Sequence, residues 1–177
     1  MKERDLQFVQ DQIKYTFRNI SLLNQAFTRI TNDNVNTSIH NDMLEFYGDK
    51  ILGFILAKKF CSENSRLSLK GNFLSEMTAG MLSAEYVKYS RNDYLAERIE
   101  KLGFRSVYLR NLHHNHNFKS VNTKAEGDLF EAILGAVAVD SNWDCKVLDK
   151  VIERMIIENL SEDCSKEALT EFARENN

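Results

Sequence analysis

The chain has 177 residues, of which 43% are apolar and 28% charged, with a formal net charge of −3. That length suits one sizeable domain and leaves little room for two. The weak negative charge excludes a global basic field, so a polyanionic partner would have to be met by local basic patches or by bound cations.

Proline is absent, where average usage would give roughly nine in this length, and glycine occurs only seven times. Lack of proline removes the commonest helix breaker, and no Asn-Gly or Asp-Gly pair sits between alternating strands. An all-α fold is predicted. Leu6, Val9, Ile13 and Phe17 are spaced for a helix over 6–17. A short helix follows at 21–28, then a long one at 41–60. After SENSRLS, the spacing of Leu74, Met77, Met81 and Leu82 predicts a helix over 69–89. Another is predicted over 93–102, with Gly103 in the usual position beyond its end. Residues 104–123, including NLHHNHN, carry the least regular pattern. Helices are predicted at 125–140 and 142–160; for the second, Ser141 and Asp144 have capping-box spacing, with Asp in place of Glu or Gln. The segment SEDCS at 161–165 reads as a hinge before a short terminal helix, ALTEFAREN. The domain is therefore drawn over 1–160, with a tail or short helix over 161–177.

Cys61, Cys145 and Cys164 form an odd set without paired spacing, which fits a reducing compartment and an intracellular, cytoplasmic or nuclear, location. The opening MKERDLQFVQ lacks the apolar centre of a signal peptide. No apolar run approaches the ~18 residues of a membrane span, so no membrane partner is expected. His113, His114 and His116 stand in a polar stretch without cysteine, which argues against zinc.

The third helix begins HNDMLEFYGDKILGF, and Asp42, Glu45 and Asp49 fall within an arc of about 60° on it. A solvated acidic face would explain them. Against that, Glu45 and Asp49 repel at i, i+4, and the same face continues into Gly53 and Leu56. A second acidic pair stands in KAEGDLFEAILGAVAVD. Ala132 to Val139 are eight consecutive apolar residues, so this helix is central, and Asp128 and Glu131 enter it at i, i+3. Charges there are costly unless paired or bound to a cation. Lys124 shares their face and could pair with them. Two readings stay open on spacing alone: structural ion pairs, or two helices converging on a divalent ion. The ligand set of the second is all hard oxygen, which favours Mg²⁺ or Mn²⁺ over zinc and suits metal-assisted phosphodiester hydrolysis.

HNDMLEFYGDKIL closely resembles the signature of the ribonuclease III family, whose usual form is HNERLEFLGDAVL. KAEGDLFEAILGAVAVDS resembles the family's second acidic motif, with wording closer to its Dicer-like and other eukaryotic branches. IKYTFRNISLLNQAFT and LSEMTAGMLS are similar to flanking helices, so the likeness covers about 160 residues. It implies an all-helical domain that dimerises and cuts double-stranded RNA with Mg²⁺, leaving 5′-phosphate ends and short 3′ overhangs. The family's four metal ligands match Glu45, Asp49, Asp128 and Glu131. Asp42 replaces a usual Glu in a supporting place, and Lys124 matches a lysine that organises the site in eukaryotic members. Phe46 matches the aromatic that inserts into the partner at the dimer interface; by its own spacing it equally suits a core position. Thr78, Ser83 or Ala84, and Arg29 stand where members often carry Arg, Asn and His. The resemblance also admits a non-catalytic scaffold of the same fold, although such proteins usually lose the acids. A helical hydrolase of small phosphorylated molecules is a further alternative from the site chemistry.

Duplex RNA is bound mainly through phosphates and 2′-hydroxyls. Lys58, Lys59, Arg66, Lys70 and Lys119 are candidate contacts, though each also reads as an ordinary solvated residue. SKEALTEFAREN resembles the first helix of a double-stranded-RNA-binding domain whose remainder is absent, which leaves room for a separate RNA-binding partner.

Overall fold

The computed structural model describes residues 1–29, 39–113 and 122–157. Among them the order is α1 (Glu3–Ile13), α2 (Ile20–Ala26), α3 (Asp42–Asn64), β1 (Ser65–Leu67), β2 (Phe73–Ser75), α4 (Ala79–Ser90), α5 (Asn92–Lys101), α6 (Phe104–His113), α7 (Thr123–Asp140) and α8 (Cys145–Ile152), closed by one π-helical turn, Glu153–Ile157. The expected helical class holds, with a two-stranded hairpin added. The proposed hinge, the terminal helix and Cys164 lie outside the described residues. Among the described residues, no helix is long and apolar enough to cross a membrane.

The organising element is α7. Leu129, Phe130, Ala132, Ile133, Leu134, Ala136, Val137 and Ala138 are all fully buried. It packs against α3, α5 and α2, as its unbroken apolar run predicts.

Several boundaries differ from the sequence expectation, each because a polar side chain takes over a backbone group. The first helix stops at Ile13, not Phe17: Lys14 turns left-handed at φ 55°, and the Phe17 N–H donates to the Gln10 side chain at 2.8 Å. Asp140, at the end of α7, then accepts the Arg18 N–H at 2.8 Å, the Asn19 N–H at 2.7 Å and the Tyr15 hydroxyl at 2.7 Å. Burial would raise its carboxyl, but those donors outweigh burial and hold it below the usual range. This one side chain ties the α1–α2 connection to the central helix. Asp140→Ala leaves three donors without their acceptor, and a loss of about 3 kcal/mol is expected, read as a fall in the denaturant midpoint. Because the carboxyl is depressed in the folded state, the same stabilisation is present above pH ~4 and drains away as pH falls below it.

The predicted 69–89 helix is the largest correction. Its first part is the hairpin, paired antiparallel with Ser65 opposite Ser75 and Leu67 opposite Phe73. Gly71 makes the turn at φ 79°, and the Asn72 N–H donates to Ser68 Oγ at 3.0 Å. Ser75 Oγ accepts the Met77 N–H at 3.2 Å and Thr78 Oγ1 the Met81 N–H, also at 3.2 Å, so α4 starts only at Ala79. Hydroxyls of this kind compete with helix formation and favour caps. Conversely, the segment thought irregular contains α6, whose Phe104, Val107, Tyr108 and Leu112 are all buried. Gly103 ends α5 at φ 75° as predicted. At the last helix, Asp144 is itself the N-cap, accepting the Lys146 N–H at 2.9 Å. Ser141 closes α7 instead, and Asn142 and Trp143, at φ 56° and 62°, separate the two helices.

Candidate metal centre

The two acid-bearing helices cross with almost no side chain between them. A Cβ on Gly48 would lie 1.7 Å from the Glu131 carbonyl oxygen, and one on Gly135 would lie 2.0 Å from that of Leu44. Glycine at both positions lets the backbones touch, and Glu45 and Glu131, each one turn before its glycine, are carried together. One oxygen each from Glu45, Asp128 and Glu131 lies within 4.8 Å of the others. Asp49 joins Glu45, Glu131, Asp42, Met43 and Phe46 around an open hollow of about 440 Å³. Its own Oδ2 is turned to Lys50 Nζ at 2.6 Å.

The charges are only partly compensated. Lys124 Nζ sits 2.7 and 2.9 Å from the two Asp128 oxygens and 3.8 Å from Glu45 Oε1. Its ammonium is held above the usual range, first by the bond to Asp128. Burial, followed by the charges of Asp49, Glu45 and Asp128, pushes the Glu131 carboxyl up to about 8. Burial and then Asp128 push Glu45 up as well. Carboxylates whose charged forms are disfavoured by one another can be relieved by a cation at their centre. The donor set is oxygen throughout, so the residues fit a hard divalent ion.

The remaining predicted residues distribute unevenly. Asp42 is exposed at the rim of the hollow. Phe46 is 54% exposed and stacks edge-on with Tyr47, so it is a surface residue of the single chain and not a core one. Lys58 pairs with Asp149, Lys59 with Glu63, and Arg66 with Glu76. Lys58 stands roughly 20 Å along the helix axis from Glu45. Lys70 is exposed in the hairpin turn, and Lys119 lies outside the described residues, as do His114 and His116. Among the described residues, the basic candidates Lys58, Lys59 and Arg66 are therefore paired with other acids and not with the acidic cluster. Thr78 caps α4, Ser83 lines an apolar groove beside Tyr86, Ala84 is exposed, and Arg29 lies close enough for its charge to act on the Tyr108 phenol.

A family model described as the Ribonuclease III domain matches residues 42–142. The chain belongs to the ribonuclease III family. Curated relatives named Ribonuclease 3 include those of Roseburia hominis, 35% identical over 169 residues, and Treponema succinifaciens, 37% identical over 159. Each alignment covers 88% of this chain but only 47% and 42% of the relative, so the chain spans about half the length of these proteins. The nuclease domain of ribonuclease III from Campylobacter jejuni superposes with a TM-score of 0.65 at 20% identity, covering 90% of this chain and 97% of that one, which shows the shared fold. A second structure of that domain is described by structural flexibility in the region involved in its dimer formation.

Sequence reasoning missed Gly48 and Gly135. Glycine inside a helix costs about 1 kcal/mol relative to alanine, so two of them within otherwise strong helices signal a close approach. It also missed Lys50, and the partner of Glu126 on α6.

Proposed function

We propose that the chain is a Mg²⁺-dependent endoribonuclease that cuts double-stranded RNA as a homodimer, leaving 5′-phosphates and short 3′ overhangs. The observation that carries this reading is the convergence of Glu45, Asp128 and Glu131, with Asp49 beside them, across the glycine crossing. Mg²⁺ at such a site would supply charge neutralisation at a phosphodiester and an activated water, and Mn²⁺ would serve as a substitute. Glu45, Asp49, Asp128 and Glu131 would hold the ion. Lys124, bonded to both Asp128 oxygens, orients that carboxylate, and Asp42 extends the negative rim. RNA contacts are assigned to Lys58, Lys59, Arg66, Lys70 and Lys119. Exposed ion pairs such as those of Lys58 and Lys59 hold little energy, so phosphates compete well for these lysines.

Duplex RNA incubated with and without Mg²⁺, followed by end mapping, tests the proposal. Cuts on both strands with a short 3′ stagger are expected. A clean dimer that cuts nothing at low salt and any divalent concentration would instead be a scaffold of the same fold.

Support for the dimer comes from the surface beside the acids, where Met43, Phe46 and Phe54 project from α3 and Trp143 from the α7–α8 turn, all about half exposed. Phe46→Ala is expected to weaken self-association at least tenfold, as aromatic anchors commonly do. An unchanged sedimentation profile at micromolar protein would rule Phe46 out of the interface.

A further inference from the structure

Glu126 sits in the first turn of α7 and is 4% exposed, yet it faces away from the acidic hollow. On a helix, Lys124 and Asp128 share one face, and Glu126, two residues from each, points to the opposite side. There it meets Arg105 of α6. Both carboxylate oxygens are engaged: Oε1 takes the Nε–H, and Oε2 takes an Nη2–H at 2.9 Å. The third nitrogen, Nη1, reaches Glu100 at 2.6 Å. This is a bidentate clamp of fixed orientation.

The surroundings make that clamp rigid. Arg110 of α6 bonds Asp5 at 2.7 Å, and Asn111 bonds the Phe27 carbonyl at 2.9 Å, so α6 is anchored to α1 and to the end of α2. On a second side of the same turn, a Cβ on Gly127 would lie 2.4 Å from Asn92 Oδ1, so the start of α5 presses directly on the backbone.

We infer that the Arg105–Glu126 pair positions the metal centre, fixing the rotation and depth of the first turn of α7 so that Asp128 and Lys124 are presented to Glu45. An ion pair with one buried partner, Glu126, and a partly exposed one, Arg105, is weak evidence of stabilisation, because apolar residues of similar volume often serve as well. What an apolar pair lacks is the directional fork. Arg105 and Glu126 are thus positioning residues: neither lines the acidic hollow. The inference rests on the reading of the acids as a divalent-ion site.

The test uses the full chain without RNA. The double variant Arg105→Met/Glu126→Leu removes both charges together, avoiding an orphaned buried ion. Its melting temperature in EDTA is expected to stay within a few degrees of wild type, while Mn²⁺ binding by titration calorimetry weakens at least tenfold. Glu126→Gln, which keeps a hydrogen bond to the guanidinium, should lie in between. A folded double variant that binds Mn²⁺ within twofold of wild type overturns the inference and leaves the metal centre standing. If the double variant does not fold, Glu126→Gln decides, with a threefold or greater loss supporting positioning and an unchanged affinity refuting it. Wild-type protein that takes up no Mn²⁺ overturns both this inference and the metal-centre reading.

Discussion

Gly48→Ala is expected to destabilise the protein by more than about 3 kcal/mol, lowering the melting temperature by roughly 10 °C in a chain of this size. Helix propensity alone predicts the opposite sign, since alanine is favoured over glycine by about 1 kcal/mol in a helix interior. The reason for the reversal is that the new methyl would stand 1.7 Å from a backbone oxygen of Glu131, which cannot rotate away as a side chain would. The helices must separate, and the separation pulls Glu45 from Asp128 and Glu131. Gly135→Ala acts from the other side, against Leu44, and should behave alike. Gly53→Ala is the control on the same helix, because its Cβ would meet only the Tyr86 side chain, the hydroxyl nearest at 3.4 Å, an ordinary contact. It should be neutral or slightly stabilising. Thermal unfolding of the three variants checks the assignment. Gly48→Ala melting at or above the wild-type temperature would show that α3 and α7 do not touch at this crossing.

Glu131→Gln should eliminate cleavage, by roughly a thousandfold or more, since several kcal/mol of charge stabilisation are removed with the ligand. The same change should make the metal-free protein more stable at high pH. The ordinary carboxyl value is 4.5, and the folded chain holds this one up to about 8. Between those values the unfolded chain has released the proton while the folded protein retains it. Folding therefore takes up a proton, and stability falls as pH rises, with the loss complete above about pH 8. Every tenfold difference in proton affinity between the folded and unfolded chain is worth about 1.4 kcal/mol, and solvent screening of a half-buried group reduces the sum to roughly 2–3 kcal/mol. In EDTA, wild type should thus melt several degrees lower at pH 9 than at pH 6, and divalent ions should restore the difference. Glu131→Gln should flatten the EDTA profile and lose much of the restoration. A variant with full cleavage activity would remove Glu131 from the ligand set, and a flat wild-type profile would remove the electrostatic account. Duplex RNA binding in Ca²⁺ should survive the substitution, separating loss of chemistry from loss of fold.

Both results reflect one compromise. Burial and then the neighbouring acids disfavour the charged forms of Glu131 and Glu45, and the helix crossing that assembles them leaves no room for relaxation. Burial of Glu131 among like charges costs stability in the absence of a cation, as sites of strained electrostatics commonly do.

Much of the fold was legible along the chain because its signals are local. The apolar run of α7 requires burial on nearly all sides wherever it is placed, and Gly103 marks a helix end by backbone conformation alone. The four acids were equally legible as two pairs, each on one helical face. Local signals also misled where a hydroxyl or carboxylate had two possible partners. Ser75 and Thr78 read as passengers in a helix, yet they cap and turn the chain. The amides of Phe17, Arg18 and Asn19 could have extended α1, but they go to Gln10 and to Asp140, which is more than 120 residues distant. No window of sequence contains that acceptor.

Short segments were thus enough to specify a helical domain, its central helix and the chemistry of its acids, since periodicity and side-chain type belong to short segments. Three things needed the folded chain: that Gly48 and Gly135 face each other's helices, that Glu45, Asp128 and Glu131 share one space, and that Arg105 grips Glu126 from behind. Those are distances between segments far apart in the chain, and they are set by how backbones meet when the core closes, which no local pattern encodes.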